Sequence, residues 1–326
     1  MDYTVFRTDG QGGLRREQVS AAPLPPDGVR VAVRAVGLNF RDSYVIRGNR
    51  YRAPLKDAIP MTDAAGVVAA VGSAVTRFKV GDRVCSTVLP NWIDGPLSAH
   101  GMARSTAVLA EYFDAGENDL VAAPPHLSDE EAATLPVAAL TAWHAVAELG
   151  VLGEGDTVVV QTTGGVAVFA MQFAAAMGAR VIAVSRSEEK LRRSGAWATI
   201  NTEVYPEWDQ QVLALTQGEG ARLVLDMGLN DSLRRSARAA AYEGTVAIIG
   251  VVQEQTNPLD IYTVMNKNLN VRGVETGSRA MFERMNRFMA QHNLHPHIDA
   301  VYDDVDAGLD RLASSPYGKV VLSLRY

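Results

Sequence analysis

The run VVVQTTGGVAVFAMQF (Val158–Phe173) has the residue types of an anion-binding turn: an apolar strand, two adjacent glycines, then an apolar helix. A strand that feeds a helix through such a turn aims backbone N–H groups and the positive helix end at a phosphate. The dinucleotide fingerprint G-x-G-x-x-G is kept only in part. Gly164 holds the middle position, where the backbone must approach a pyrophosphate, but Thr162 stands at the first and Ala167 at the third. Ala167 adds one methyl at the helix–strand contact. Thr162 is the more serious change, because a β-branched residue is strained wherever φ must be positive; Gly165 supplies some local freedom. Thr162, Thr163, Gly164, Gly165 and Val166 are the candidate phosphate contacts; an ordinary βαβ turn with no ligand is the alternative.

The next strand chooses between the two nicotinamide cofactors. An acid at its end would bind the 2′-hydroxyl of NAD, whereas basic residues accommodate a 2′-phosphate. The strand ends AVSRSEEK, with Ser185 and Arg186 where the acid would stand and Lys190 in the turn that follows. Ser185 can donate a hydrogen bond, and Arg186 and Lys190 can neutralise phosphate charge. NADPH is therefore expected over NADH. A solvated basic helix start with no ligand is the bland alternative.

Few other residues are placed for chemistry. Cys85 is the only cysteine, so an intrachain disulfide and a cysteine-rich zinc site are both excluded. His292, His295 and His297 cluster around a polar turn without further ligands. His144 lies on an apolar helix, and His100 and His126 fall in expected loops. No Ser-His-Asp or Cys-His arrangement can be argued from spacing. The net charge of −6 argues against a nucleic-acid partner. No apolar run approaches the roughly 20 residues that span a bilayer. With no apolar leader in MDYTVFRTDG, a cytoplasmic protein is expected.

The elements that must position these residues fall into two patterns. Up to about residue 125 the chain alternates short apolar runs with turns, as in VRVAVRAVG, AGVVAAVGSAV and FKVGDRVCSTV. Ser128 and Glu131 then have capping-box spacing ahead of helical periodicity. From there strands alternate with helices through DTVVVQ, ARVIAVS, ARLVLDMG and GTVAIIGV, the pattern of a parallel sheet covered on both faces. Its length and its 47% hydrophobic content favour two domains.

With those pieces placed, the chain resembles the medium-chain dehydrogenase/reductase superfamily, in its zinc-independent, quinone oxidoreductase-like branch. The resemblance rests on GLNFRDSYVIRG, DAAGVVAAVGSAVTRFKVGDRV, LSDEEAATLPVAALTAWHAV, VVVQTTGGVAVFAMQFA, KNLNVRGVETGSRAMFERMNR and the final GKVV, and it spans nearly the whole sequence. It implies an α/β protein: a GroES-like β-rich catalytic domain over 1–125, a Rossmann NADP-binding domain over 126–265, and a return to the first domain over 266–326. It also implies an active cleft between the domains and a homodimer.

Zinc-dependent relatives carry a Cys at the equivalent of Asn39, a His-Glu pair near Thr62 and Asp63, and a lobe with four Cys ligands. None of these is present, so no catalytic metal is expected. A further departure is SGAWATIN, which is shorter than the usual helix and ending, at the adenosine side. The resemblance places Asn39 beside the nicotinamide as an amide donor, with Tyr44 and Tyr51 as donors or acids near the cleft; aromatic packing is the alternative for both tyrosines. Asp42 is expected to fix local structure. Thr141 and the segment Gly277, Ser278 and Arg279 would approach the cofactor, as would Gly250 and Val251 beyond a strand end.

Without a Lewis acid, simple ketone reduction loses several kcal/mol of charge stabilisation. Quinones and α,β-unsaturated carbonyls need less help, because conjugation spreads the developing charge. Hydride transfer from NADPH to a quinone or enone is the expected activity. A metal-free alcohol/aldehyde dehydrogenase and a non-catalytic NADPH-binding protein are the alternatives.

Overall fold

A computed structural model describes residues 1–48, 53–99, 108–229, 231–250 and 258–324. They divide into two compact units, Met1–Leu140 with Thr276–Tyr326, and Thr141–Glu275. The expected α/β class, a GroES-like β-rich part and a Rossmann-type parallel sheet, is what the chain adopts.

The chain opens with a hairpin of β1 (Asp2–Thr8) and β2 (Leu14–Ser20). Next come β3 (Gly28–Gly37), α1 (Phe40–Arg47), β4 (Asp63–Val71), β5 (Arg83–Ser86), β6 (Tyr112–Gly116) and β7 (Leu120–Ala122). The expected capping box starts α2 (Asp129–Ala132): Ser128 N donates to Glu131 Oε2 at 2.8 Å, and Glu131 N to Ser128 Oγ at 3.1 Å. The coil then loosens into a π-type stretch, Leu135–Ala139, continues as α3 (Leu140–Trp143), and widens again over His144–Leu149. Pro136 sits in the first turn of that stretch, where its missing N–H removes no ladder bond.

The second unit alternates strand and helix: β8 (Thr157–Gln161), α4 (Gly165–Ala176), β9 (Arg180–Ser185), α5 (Glu188–Arg193), β10 (Ala198–Asn201) and α6 (Trp208–Leu215). It continues through β11 (Ala221–Asp226), α7 (Ser232–Ala239), β12 (Ala240–Ile248), α8 (Ile261–Asn266) and β13 (Asn270–Gly273). All six strands run parallel in the order β10-β9-β8-β11-β12-β13, so the winding reverses between β8 and β11. β8 is buried at every position, which is why its centre, Val158–Val160, reads as a continuous apolar run rather than an alternating one. α4 is buried nearly all round, with Phe169 and Phe173 stacked at 5.9 Å.

The return segment adds α9 (Arg279–Gln291), β14 (Ile298–Tyr302), α10 (Val305–Ala313) and β15 (Lys319–Ser323) to the first unit. Its sheet runs β14-β15-β3-β4-β5-β7, with β6 also on β3. Two registers there decide the site. β15 runs antiparallel to β3 with Val321 opposite Gly37, so two residues further along Lys319 meets Asn39. β4 places Asp63 opposite Gly37 from the other side.

Candidate active site

In the first unit these registers gather four polar side chains under the start of α1. Lys319 is 3% exposed, and its Nζ donates to Leu38 O and to Asn39 Oδ1, both at 2.7 Å. Asp63 Oδ2 lies 3.9 Å from the same nitrogen. Asp63 also accepts from Thr62 Oγ1 at 3.0 Å and from Val137 N, in the π-type stretch, at 3.1 Å. Asp42 reaches back from the first turn of α1 and accepts the Asn39 backbone N–H at 2.8 Å, so it fixes local structure. Burial pushes the Asp42 carboxyl up to about 7. Burial likewise raises Asp63 and lowers Lys319, and their mutual attraction opposes both shifts. The oxygens of Leu38, Asn39 and Asp63 around the Lys319 nitrogen are all acceptors, and the Asp63 carboxylate opposes the lowering by burial.

This donor set does not fit a zinc ion. Asn39 and Thr62 offer neutral oxygens, Asp63 is the one carboxylate among them, and an ammonium already sits against Asn39 and Asp63. Among the described residues no group of three or more His, Cys, Asp or Glu side chains could hold a metal. The histidines are used otherwise. His144 Nδ1 meets Glu275 O at 2.9 Å, His295 Nδ1 meets Glu131 Oε1 at 2.7 Å, and His126 Nε2 meets Leu294 O at 3.2 Å. His100 lies outside the described residues.

Tyr44 is half-buried on α1, with its ring edge-on to Phe40 at 5.1 Å. Tyr51 lies outside the described residues. In the return segment, Gly277 has no room for a Cβ, which would fall 2.8 Å from Leu140 Cδ1. Ser278 is buried and caps α9 by accepting from Met281 N at 3.2 Å. Arg279 N donates to Trp92 O at 2.9 Å, and its guanidinium donates to Asn118 Oδ1 at 2.6 Å. These three residues therefore have structural work within the first unit.

In the second unit the carboxyl ends of β8 and β11 flank the winding reversal, the place where open parallel sheets bind ligands. Thr162 does adopt the strained conformation, with φ of 67°, and its N–H is held by Val184 O at 2.7 Å. Thr163 is buried. Gly164 precedes the first turn of α4, and Gly165 and Val166 open that helix. A Cβ added at Gly164, or at Gly250 beyond β12, would meet nothing within 4 Å. Open space over the Gly164 backbone, at the N-terminal N–H groups of a twelve-residue helix, fits a pyrophosphate. Val251 lies outside the described residues. Thr141 is buried at the start of this unit.

At the end of β9, Ser185 Oγ accepts from Ser187 N at 3.3 Å, and Ser187 Oγ caps α5 by accepting from Lys190 N at 3.4 Å. Arg186 is exposed. No acid occupies the strand end; Glu188, the nearest, is turned to Asn201 at 3.2 Å and Arg192 at 3.7 Å. The SGAWATIN segment follows α5, which ends at Arg193, and carries β10 from Ala198.

Sequence reasoning missed a second buried network beside the turn. Asp226 accepts from Gly228 N at 2.8 Å, Ser232 Oγ at 2.9 Å and Ser236 Oγ at 2.6 Å. Gln161 Nε2 donates to Ser236 Oγ at 2.8 Å, and Gln161 Oε1 accepts from Met227 N at 3.2 Å. The signal was present: both polar residues end otherwise apolar strands. The network pins together the carboxyl ends of β8, which leads into the turn, and β11.

The same architecture recurs in known proteins. The family profile for the alcohol dehydrogenase GroES-like domain matches residues 25–125, and that for zinc-binding dehydrogenases matches 165–291. A zinc-type alcohol dehydrogenase-like protein of Schizosaccharomyces pombe is 36% identical over 92% of this chain and 92% of its own length. The quinone oxidoreductase of Pseudomonas aeruginosa is 35% identical over 72% of this chain and 68% of its own. The chain belongs to the medium-chain dehydrogenase/reductase superfamily, in its quinone oxidoreductase-like branch. Among solved structures, one named NAD-dependent alcohol dehydrogenase shares 32% identity at a TM-score of 0.86, with both chains fully covered. As a member of this superfamily, the chain is a nicotinamide-dependent oxidoreductase acting on small molecules.

Proposed function

We propose that this oxidoreductase uses NADPH to reduce a quinone or an α,β-unsaturated carbonyl without a catalytic metal. The observation that carries the metal-free part is Lys319, whose buried ammonium sits among the side chains at the zinc-ligand positions. Ser185 and Arg186 at the end of β9, with Lys190 behind them, support NADPH, since no acid stands ready for a ribose hydroxyl. When bound, the dihydronicotinamide supplies a hydride equivalent. The chain's own residues do the rest: Thr162 to Val166 and Gly250 hold the phosphates and cofactor, and Asn39 donates to the acceptor oxygen as charge develops there. Tyr44 and Tyr51 are the proposed proton donors. Thr141, Val251 and the Gly277–Arg279 segment complete the cofactor contacts. The catalysis is mainly positioning and charge stabilisation.

The wider proposal is a cytoplasmic homodimer. No described helix is long and apolar enough to cross a membrane. The edge strand β13 lies next in sequence to α8, where Ile261, Tyr262 and Met265 are each more than 60% exposed. Such a patch beside an open strand edge suits pairing with a second copy.

The test is a turnover panel of quinones, enones and simple aldehydes, with NADPH and with NADH. Faster reduction of a quinone or enone supports the proposal, and equal or faster aldehyde reduction sinks it. A metal-free alcohol/aldehyde dehydrogenase is the second reading, favoured by the names of the relatives. A non-catalytic NADPH-binding protein is the third, favoured by the strained Thr162; tight binding without turnover on any acceptor would support it.

A further inference from the structure

We propose that Lys319 is a positioning residue that polarises the Asn39 amide, making its weakly held N–H a stronger donor to the oxygen of the acceptor. The inference rests on the reading of Asn39 as the substrate donor and adds a group behind it. An ammonium can only donate, so the oxygen of the Asn39 amide must be the end that faces Lys319 at 2.7 Å. That fixes an orientation which heavy-atom positions alone leave ambiguous. The nitrogen end is thereby turned away from Lys319 and lies near Asp63, where the amide helps to lower the carboxyl against the effect of burial. Its other contact is Gly37 O at 3.5 Å, the outer limit of a hydrogen bond. One N–H is therefore weakly committed, and Asn39 keeps 8% exposure.

The whole residue is held before any substrate arrives. Asp42 takes the Asn39 backbone N–H at 2.8 Å, and Lys319 takes the preceding carbonyl of Leu38 at 2.7 Å. A donor fixed in advance needs no reorganisation as charge develops. Donation from an ammonium to the amide oxygen draws electron density from the nitrogen, and chained hydrogen bonds strengthen one another in a low dielectric. Where zinc-dependent relatives place a dication against the substrate oxygen, this chain places a cation one amide further away. Asp63 keeps that cation compensated, so the buried charge does not stand alone.

The experiment combines NMR of protein labelled with 15N at asparagine and steady-state kinetics of the full chain. The Asn39 side-chain amide pair is assigned by its loss in Asn39→Ala. In the wild type this pair is expected outside the ordinary asparagine range, and Lys319→Met is expected to return it there. With a quinone or enone acceptor, Lys319→Met lowers kcat roughly 10-fold and leaves KM for NADPH within about twofold, as expected when a donor weakens but cofactor binding is untouched. In an Asn39→Ala background the same change has no further effect on kcat. If Lys319→Met fails to fold, Lys319→Met/Asp63→Asn removes both charges together and gives the same readings. An amide pair unmoved by loss of Lys319, or kcat losses that multiply in the double variant, overturns the proposal. If the wild type reduces no acceptor, the reductase reading fails, and the amide resonance still decides whether Lys319 polarises Asn39.

Discussion

Asp42 accepts the Asn39 N–H from a site 1% exposed, and burial raises its carboxyl from 3.8 to about 7. A folded-state value above the unfolded one means that the folded chain holds this proton more tightly. The resulting stability is fully present below about pH 4 and is lost as pH rises through about 7. Half-buried carboxylates such as Asp9 and Glu117 are shifted the opposite way by backbone hydrogen bonds, so the net profile hides the effect. Comparison with Asp42→Asn isolates it. Between about pH 4 and pH 7 the wild type should lose about 2–4 kcal/mol relative to that variant in urea unfolding; a flat difference would contradict the assignment. Asp63, Lys319 and Arg41 all act on the same group, so the midpoint belongs to the cluster. Cys85 offers a second residue-level check. It is fully buried against Ala132 O, and burial pushes its thiol up to about 12. The native protein should resist thiol reagents at pH 8 and react only on unfolding.

At the scale of elements, two turns carry the account. Thr162 holds φ at 67°, a conformation that costs a β-branched residue about 1–3 kcal/mol. Thr162→Gly should therefore raise unfolding stability by up to about 1 kcal/mol after its own entropy cost, with NADPH binding kept or tightened. A clear loss of either would show that the threonine side chain itself is needed. Gly318, just before Lys319, has φ of 80°, and a Cβ there would lie 2.2 Å from His297 O. Gly318→Ala should cost about 2–4 kcal/mol in chemical unfolding and lower turnover by displacing Lys319.

These turns also show what the sequence made legible. β8, β9, β11 and β12 read directly from apolar runs, because buried parallel strands must be apolar on both faces. The Ser128–Glu131 cap and the Ser185–Arg186 strand end were readable because each is local. The Lys319 cluster was not, since it joins residues 38–42, 62–63, 137 and 319 through sheet register. The Asp226–Gln161 network depends in the same way on β8 lying beside β11. The loosening of the helix after Ala132 left no mark that helical periodicity could detect.

At the scale of the whole molecule, the exposed residues of α8 and the open edge of β13 predict a particle of twice the chain's 35.0 kDa in light scattering. Tyr262→Asp/Met265→Asp should yield a folded monomer, and a wild type that is already monomeric would remove the dimer. The central claim is metal-free reduction with NADPH, and one measurement reaches it most directly. Protein dialysed exhaustively against a strong chelator is assayed for NADPH and NADH oxidation with quinone, enone and aldehyde acceptors. The account predicts full retention of activity, at least about 10-fold higher kcat/KM with NADPH, and a quinone or enone as the better acceptor. Activity that vanishes with the chelator and returns with zinc, or a preference for NADH and simple aldehydes, would contradict it.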